Sequence, residues 1–120
     1  ETIDACKCLL EKAGTTAIVV EDLPGLVLDR TLASLVNEAA EMYATEVANI
    51  EDIDRVTRLC LNWPMGPFEF ADYLGIDNVV ATLEMIARDE PQYTPSRLLR
   101  QMVAAGKLGR KVEQGFYSYT

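Results

Sequence analysis

The run Leu23 to Tyr43, LPGLVLDRTLASLVNEAAEMY, constrains the fold more than any other part of the chain. Pro24-Gly25 ends what precedes it, because proline stops a strand and glycine permits a sharp bend. Beyond the bend, Leu28, Leu32, Leu35, Val36, Ala39, Met42 and Tyr43 recur at helical spacing. Thr31, Ser34, Asn37, Glu38 and Glu41 fall between them. A helix with such a stripe is stable only when other helices cover it. The rest of the chain must therefore supply that cover.

It does so in short pieces. Residues 2–13 predict a helix with Ile3, Cys6, Leu9 and Leu10 on one face, stopped by Gly14. Residues 16–21 (TAIVVE) form the one strand-like run. A single strand cannot satisfy its own backbone groups. It must pair with a partner chain, with an upstream domain, or with Phe116-Tyr117-Ser118-Tyr119. Residues 1–22 are thus expected to be the tail of another unit.

After the long helix, Asn49 predicts an N-cap. Ile50, Ile53, Val56, Leu59 and Cys60 then hold helical spacing to Leu61. Trp63-Pro64-Met65-Gly66-Pro67 is a compact turn, and Pro67 suits the first position of a helix over 68–74, closed by Gly75. Asp77 is expected to cap a further helix that turns Val79, Val80, Leu83, Ile86 and Ala87 inward. Pro91 and Pro95 bracket an extended link. Thr94 is expected to cap a last helix over 96–105, ended by Gly106. The tail, with Gly109-Arg110-Lys111 and Gly115-Phe116-Tyr117, reads as irregular with aromatic anchors. The fold class expected is all-α: a bundle of five or six helices behind a short helix and strand.

Composition excludes several functions. A net charge of −8, from 11 basic and 19 acidic residues, argues against nucleic-acid binding by counterion release. Residues 91–112 run against that balance, with Arg97, Arg100, Lys107, Arg110 and Lys111 and no acid. They form either a solvated helix balanced by acidic neighbours or a surface for a partner or a phosphate. The chain has no histidine, which removes the commonest general base and the commonest zinc ligand. Cys6, Cys8 and Cys60 form no disulfide framework and suggest a reducing compartment. They read as packing residues, and no metal site is expected. No apolar run approaches membrane-spanning length and no signal peptide is visible, so a cytoplasmic location is expected. The chain opens on Glu1 rather than Met, as a fragment or processed piece would. Carboxylate pairs such as Glu51/Asp52 and Asp89/Glu90 read as helix-end capping and solubility. The seven glycines form no G-x-G-x-x-G set and no Walker loop. From residue chemistry alone, this is a helical domain that packs against something.

Three segments in order carry a resemblance. The first is Glu21-Asp22-Leu23-Pro24-Gly25-Leu26-Val27-Leu28-Asp29-Arg30, with Asn37-Glu38-Ala39 following. The second is Glu51-Asp52-Ile53-Asp54, then Trp63-Pro64-Met65-Gly66-Pro67-Phe68-Glu69-Phe70-Ala71-Asp72-Tyr73-Leu74-Gly75-Ile76-Asp77. The third is Gly109-Arg110-Lys111 with Gly115-Phe116-Tyr117. Together, over residues 15–120, they resemble the C-terminal domain of the 3-hydroxyacyl-CoA dehydrogenase family, which includes 3-hydroxybutyryl-CoA dehydrogenases. The resemblance implies a helical domain, residues 23–120, that follows a Rossmann domain. Residues 1–22 would be the end of that upstream domain. It also implies a homodimer, and a domain that closes over acyl-CoA at the interface with the Rossmann domain. That absent domain would hold NAD and the histidine base with its glutamate partner, so this chain alone should be inactive. The full enzyme would interconvert 3-hydroxyacyl-CoA and 3-oxoacyl-CoA.

Two positions depart from the family pattern. Asp29 stands where the family has a substrate-side asparagine. An amide can donate to a developing oxyanion, whereas an ionised carboxylate only accepts. Glu113 stands at a glycine position in the tail. Some members carry two tandem copies of this domain, the second without its catalytic residues, and Asp29 fits such a copy. Asp29 is thus the one catalytic candidate. The plainer alternative has it sitting in the first turn of the long helix, capping that helix, or pairing with Arg30 or another arginine. A structural helical module without a ligand is the rival reading.

Overall fold

The computed structural model describes residues 1–120. Six α-helices run in the order α1 (Thr2–Lys12), α2 (Leu28–Ala44), α3 (Ile50–Leu61), α4 (Pro67–Leu74), α5 (Ile76–Ala87) and α6 (Arg97–Ala104). Short 3-10 turns occupy Pro91–Tyr93 and Arg110–Val112. The all-α expectation holds.

The long amphipathic run forms α2, and α4, α5 and α6 cover it. Its buried residues are Leu32, Ala33, Val36, Ala39 and Ala40. The alanines keep the helix narrow on that side, so the neighbouring helices approach closely. Ala33, Val36 and Ala40 meet Ala71, Ile76, Val79, Leu83 and Leu99 in the main core. A smaller cluster joins Ala39, Ile53 and Phe68, with Phe116 and Tyr117 packed against it. Phe68 is fully buried, its ring centroid 4.4 Å from that of Phe116 and edge-on to Tyr43 at 6.4 Å.

Several sequence expectations need correction. Residues 15–23 run without regular structure and pair with no strand. Phe116–Tyr119 does not serve as the partner: Gln114 bridges to Gly109 and Ser118 instead. Part of the segment folds back on α1, where Ala17, Ile18 and Val19 face Ile3, Cys6 and Leu10. Helix α1 buries no residue. This projecting unit explains a radius of gyration of 16.4 Å, against about 13.5 Å for a compact chain of this length.

The cysteines do not pack the core: Cys6, Cys8 and Cys60 are all exposed. Cys60 shares the outer face of α3 with Val56 and Leu59, which are 60% and 72% exposed. Only Ile53 and Asp54 of that helix are buried, so its inward face lies one step from the stripe that apolar spacing indicates. Leu28 and Tyr43, expected in the core, are exposed at the two ends of α2.

Two caps move as well. Gly75 takes the N-cap of α5 at φ +95°, and Asp77 lies inside the first turn. Ser96, not Thr94, caps α6 by accepting from Leu98 N. Asn49 caps α3 as expected, accepting from Asp52 N at 2.8 Å.

Candidate functional site

Two buried carboxylates organise the side of the bundle that receives the tail. Asp54, on α3, accepts from the backbone N–H of Phe68 at 2.8 Å and of Glu69 at 3.2 Å. These are orphan donors of the first turn of α4, whose own N-cap, Gly66, has no side chain to offer them. The cap therefore comes from another helix, and a negative group there also suits the helix dipole. Glu69 reaches back to Gly66 N at 3.0 Å. The third partner of Asp54 is the Tyr117 hydroxyl, at 2.6 Å.

Asp72, on α4, holds the tail itself. Its carboxylate accepts from Phe116 N at 2.8 Å, Tyr117 N at 3.0 Å and the Tyr119 hydroxyl at 2.8 Å. Two glycines make the approach possible. A Cβ at Gly66 would overlap Asp54, and one at Gly115 would overlap the Asp72 carboxylate. Burial pushes the Asp54 carboxyl above its ordinary pKa, against the hydrogen bonds it accepts. Burial and the bond to Asp72 push the Tyr119 hydroxyl up to about 12, and Tyr117 rises for the same reasons beside Asp54.

Further ties fix the remaining joints. Asn37 grips the link before α6 through both ends of its amide: Nδ2 donates to Thr94 O at 3.1 Å, and Oδ1 accepts from Ser96 N at 2.7 Å. Arg30 donates to both Glu90 oxygens, at 2.9 and 2.8 Å, and lies 4.7 Å from the Tyr93 ring centroid. Lys111 pairs with Asp77 at 2.7 Å, and this bond holds the Asp77 carboxyl below its ordinary pKa.

The basic stretch divides. Lys111 is committed to Asp77, and Arg110 lies near the rings of Tyr73 and Tyr119. Arg97, Arg100 and Lys107 remain exposed. No three His, Cys, Asp or Glu side chains converge in a way that could hold a metal ion.

Asp29 lies in the first turn of α2. That much of the plainer alternative holds; the capping and the pairing with Arg30 do not, since α2 has no side-chain cap and Arg30 is taken by Glu90. Asp29 instead lines a hollow of about 220 Å³ between α2 and α5, with Ala33, Leu74, Asn78, Val79 and Thr82. Asn78, its amide held by Leu74 O at 2.8 Å, and Thr82 were not singled out from sequence. Nothing local marks them, because the hollow exists only once α5 has folded onto α2. Leu74 also borders a second, apolar groove of about 610 Å³, formed by Leu28 and Leu32 of α2, Phe70 and Tyr73 of α4, and Trp63 before it.

Residues 25–119 match the family model for the 3-hydroxyacyl-CoA dehydrogenase C-terminal domain. The chain belongs to this family. It is 43% identical over 111 residues to a probable 3-hydroxybutyryl-CoA dehydrogenase of Deinococcus radiodurans, covering 91% of this chain and 40% of that protein. The crystal structure of (S)-3-hydroxybutyryl-CoA dehydrogenase from Ralstonia eutropha superposes with a TM-score of 0.93 at 38% identity, covering 98% of this chain and 42% of that one. The 3-hydroxybutyryl-CoA dehydrogenase of Escherichia coli gives 0.89 at 27% identity, covering 97% of this chain but 25% of that one. The chain thus spans about 40% of the length of the curated relatives it matches.

In this 3-hydroxyacyl-CoA dehydrogenase domain, the motif residues that carry the resemblance have mechanical work. Asp54, Gly66, Asp72, Gly115 and Tyr117 are the parts of the clasp that seats the tail. Asn37 and Asp77 fasten the flanks. Asp29 stands outside every one of these ties.

Proposed function

We propose that this chain is the C-terminal helical domain of an NAD-dependent 3-hydroxyacyl-CoA dehydrogenase. The observation that carries the reading is identity of 37–43% to proteins named as 3-hydroxybutyryl-CoA dehydrogenases, over nearly the whole chain. Residues 23–120 are the helical domain, and residues 1–22 are the end of a dinucleotide-binding domain. The exposed apolar residues of α1 and of residues 18–20 suit a surface that docks on such a neighbour.

The residues of this chain do not fit a dinucleotide. They contain no strand-to-helix glycine turn of the kind that seats a pyrophosphate. They also supply no histidine base. NAD and the base therefore belong to the rest of the enzyme. This domain closes over the acyl-CoA, with the Asp29 hollow and the neighbouring groove turned to the substrate. The assembled enzyme is a cytoplasmic homodimer. The exposed Val56, Leu59 and Cys60 face of α3 suits subunit contact, and no helix is long and apolar enough to cross a membrane.

A second reading keeps the family but makes this the degenerate copy in a tandem pair, with a scaffolding role. One observation favours it: the carboxylate at position 29. One experiment tests the leading reading: oxidation of NADH by the full-length protein with acetoacetyl-CoA. Turnover is expected. A full-length protein that neither reduces acetoacetyl-CoA nor oxidises 3-hydroxybutyryl-CoA would overturn it.

A further inference from the structure

Trp63 lines two cavities at once. On one side lies the apolar groove of about 610 Å³, whose far end at Leu74 meets the Asp29 hollow. On the other lies a polar hollow of about 450 Å³, walled by Ser34, Asn37, Glu38 and Gln92. The indole, with Thr31 opposite in α2, thus stands between them. It is pinned edge-on to Phe70, with ring centroids 6.1 Å apart and planes at 82°. Pro64 beside it stiffens the turn that carries it.

The groove follows α4. Its lining on α4 runs from Leu74 back to Phe70, a rise of about 6 Å, so the groove has the length of a short acyl tail, closed by the Trp63 ring. Its walls are almost wholly apolar, which excludes a charged occupant and suits a hydrocarbon chain.

Resting on the function proposed above, we propose that this groove takes the acyl tail of the substrate and that Trp63 is its end wall, the residue that limits chain length. A short tail occupies the stretch between Leu74 and Phe70 and stops before the indole. A longer one collides with the ring. With the ring removed, the groove opens into the second hollow, where Leu35 and Tyr93 offer apolar contact to the extra methylenes.

The test uses the full-length dehydrogenase and two variants, Trp63→Ala and Trp63→Phe. Each is assayed with acetoacetyl-CoA, 3-oxooctanoyl-CoA and 3-oxododecanoyl-CoA, and each is checked for folding by thermal melting. Trp63→Ala should raise the long-to-short ratio of kcat/KM at least about tenfold, the scale on which a pocket discriminates single methylenes. Trp63→Phe, which keeps a ring on Phe70, should restore most of the original ratio. An unchanged ratio in a folded Trp63→Ala enzyme that still reduces acetoacetyl-CoA would overturn the wall and leave the proposed function standing. So would a variant altered only in its sedimentation, which would make the groove a subunit contact.

A second readout needs no turnover. Trp63 is the only tryptophan of this chain. The fluorescence difference between the wild-type protein and Trp63→Phe isolates its emission. Dodecanoyl-CoA should shift that emission and acetyl-CoA should not. A shift without turnover would support the groove and count against the dehydrogenase reading. The same response to both ligands would overturn the groove.

Discussion

The Tyr117 hydroxyl donates to Asp54 Oδ2 at 2.6 Å, across 63 residues of sequence. The bond joins the end of the chain to the carboxylate that caps α4. Tyr117→Phe removes the donor and leaves a buried carboxylate with two backbone partners. The expected loss is about 1–3 kcal/mol of unfolding free energy, the usual cost of stripping a partner from a buried charged acceptor. Urea unfolding of the variant against the wild type measures it. A loss below experimental error would mean that the tail does not help to hold Asp54.

Gly66→Ala and Gly106→Ala should separate contact from backbone strain. Gly66 has an ordinary negative φ, but a Cβ there would overlap the Asp54 backbone. The two helices would have to part, at a cost of about 3 kcal/mol, the upper end for overpacking. Gly106 has φ +73° and open space around it. Alanine there meets only the left-handed penalty, about 1–2 kcal/mol. Melting temperatures of the two variants should fall in that order, and the reverse order would count against the clasp.

The Asp77–Lys111 pair gives stability a defined pH dependence. The hydrogen bond from Lys111 lowers the folded-state pKa of Asp77. A depressed carboxyl contributes stability that is fully present above its unfolded value, about 4. That contribution fades as pH falls through the folded value. Asp77→Asn should therefore lower the melting temperature at neutral pH, and the gap to wild type should close as the solution is acidified below about 4. Asp54 works with the opposite sign. Burial raises its pKa, so its contribution declines as pH rises through the window above the ordinary carboxyl value.

The helices were legible because their spacing is local. The α2 stripe, the Asn49 cap, Pro67 at the start of α4 and Gly75 at its end can each be read within a few residues. What each face meets was not. Val56, Leu59 and Cys60 have the spacing of a core face, yet α3 turns Asp54 inward instead, because Asp54 reaches the start of α4. Asp77 has the chemistry of a cap, but the long-range pair with Lys111 takes it. The clasp shows only a faint local trace: Asp54 follows Ile53, and Asp72 follows Phe68 by four residues, on otherwise apolar faces. Asp29 was legible by resemblance alone, and its hollow depends on Asn78 and Thr82, which no pattern near Asp29 indicates.

Asp29→Asn is the most direct probe of that hollow. Asp29 has no hydrogen-bonding or ionic partner in the chain, so its removal should cost at most about 1 kcal/mol, the value of an acid in the first turn of a helix. Its effect on rate should be much larger if the hollow faces the C3 carbonyl that is reduced. Reduction of a 3-oxoacyl-CoA builds negative charge on an oxygen, which a carboxylate repels and an amide N–H stabilises. Supplying that donor should raise kcat of the full-length enzyme by about a hundredfold, the usual worth of one such donor. Steady-state kinetics with acetoacetyl-CoA, alongside a melting curve, provide the measurement. A faster enzyme of equal stability would put position 29 beside the reacting oxygen. Unchanged kcat in a folded variant would remove Asp29 from the chemistry and favour the scaffolding copy.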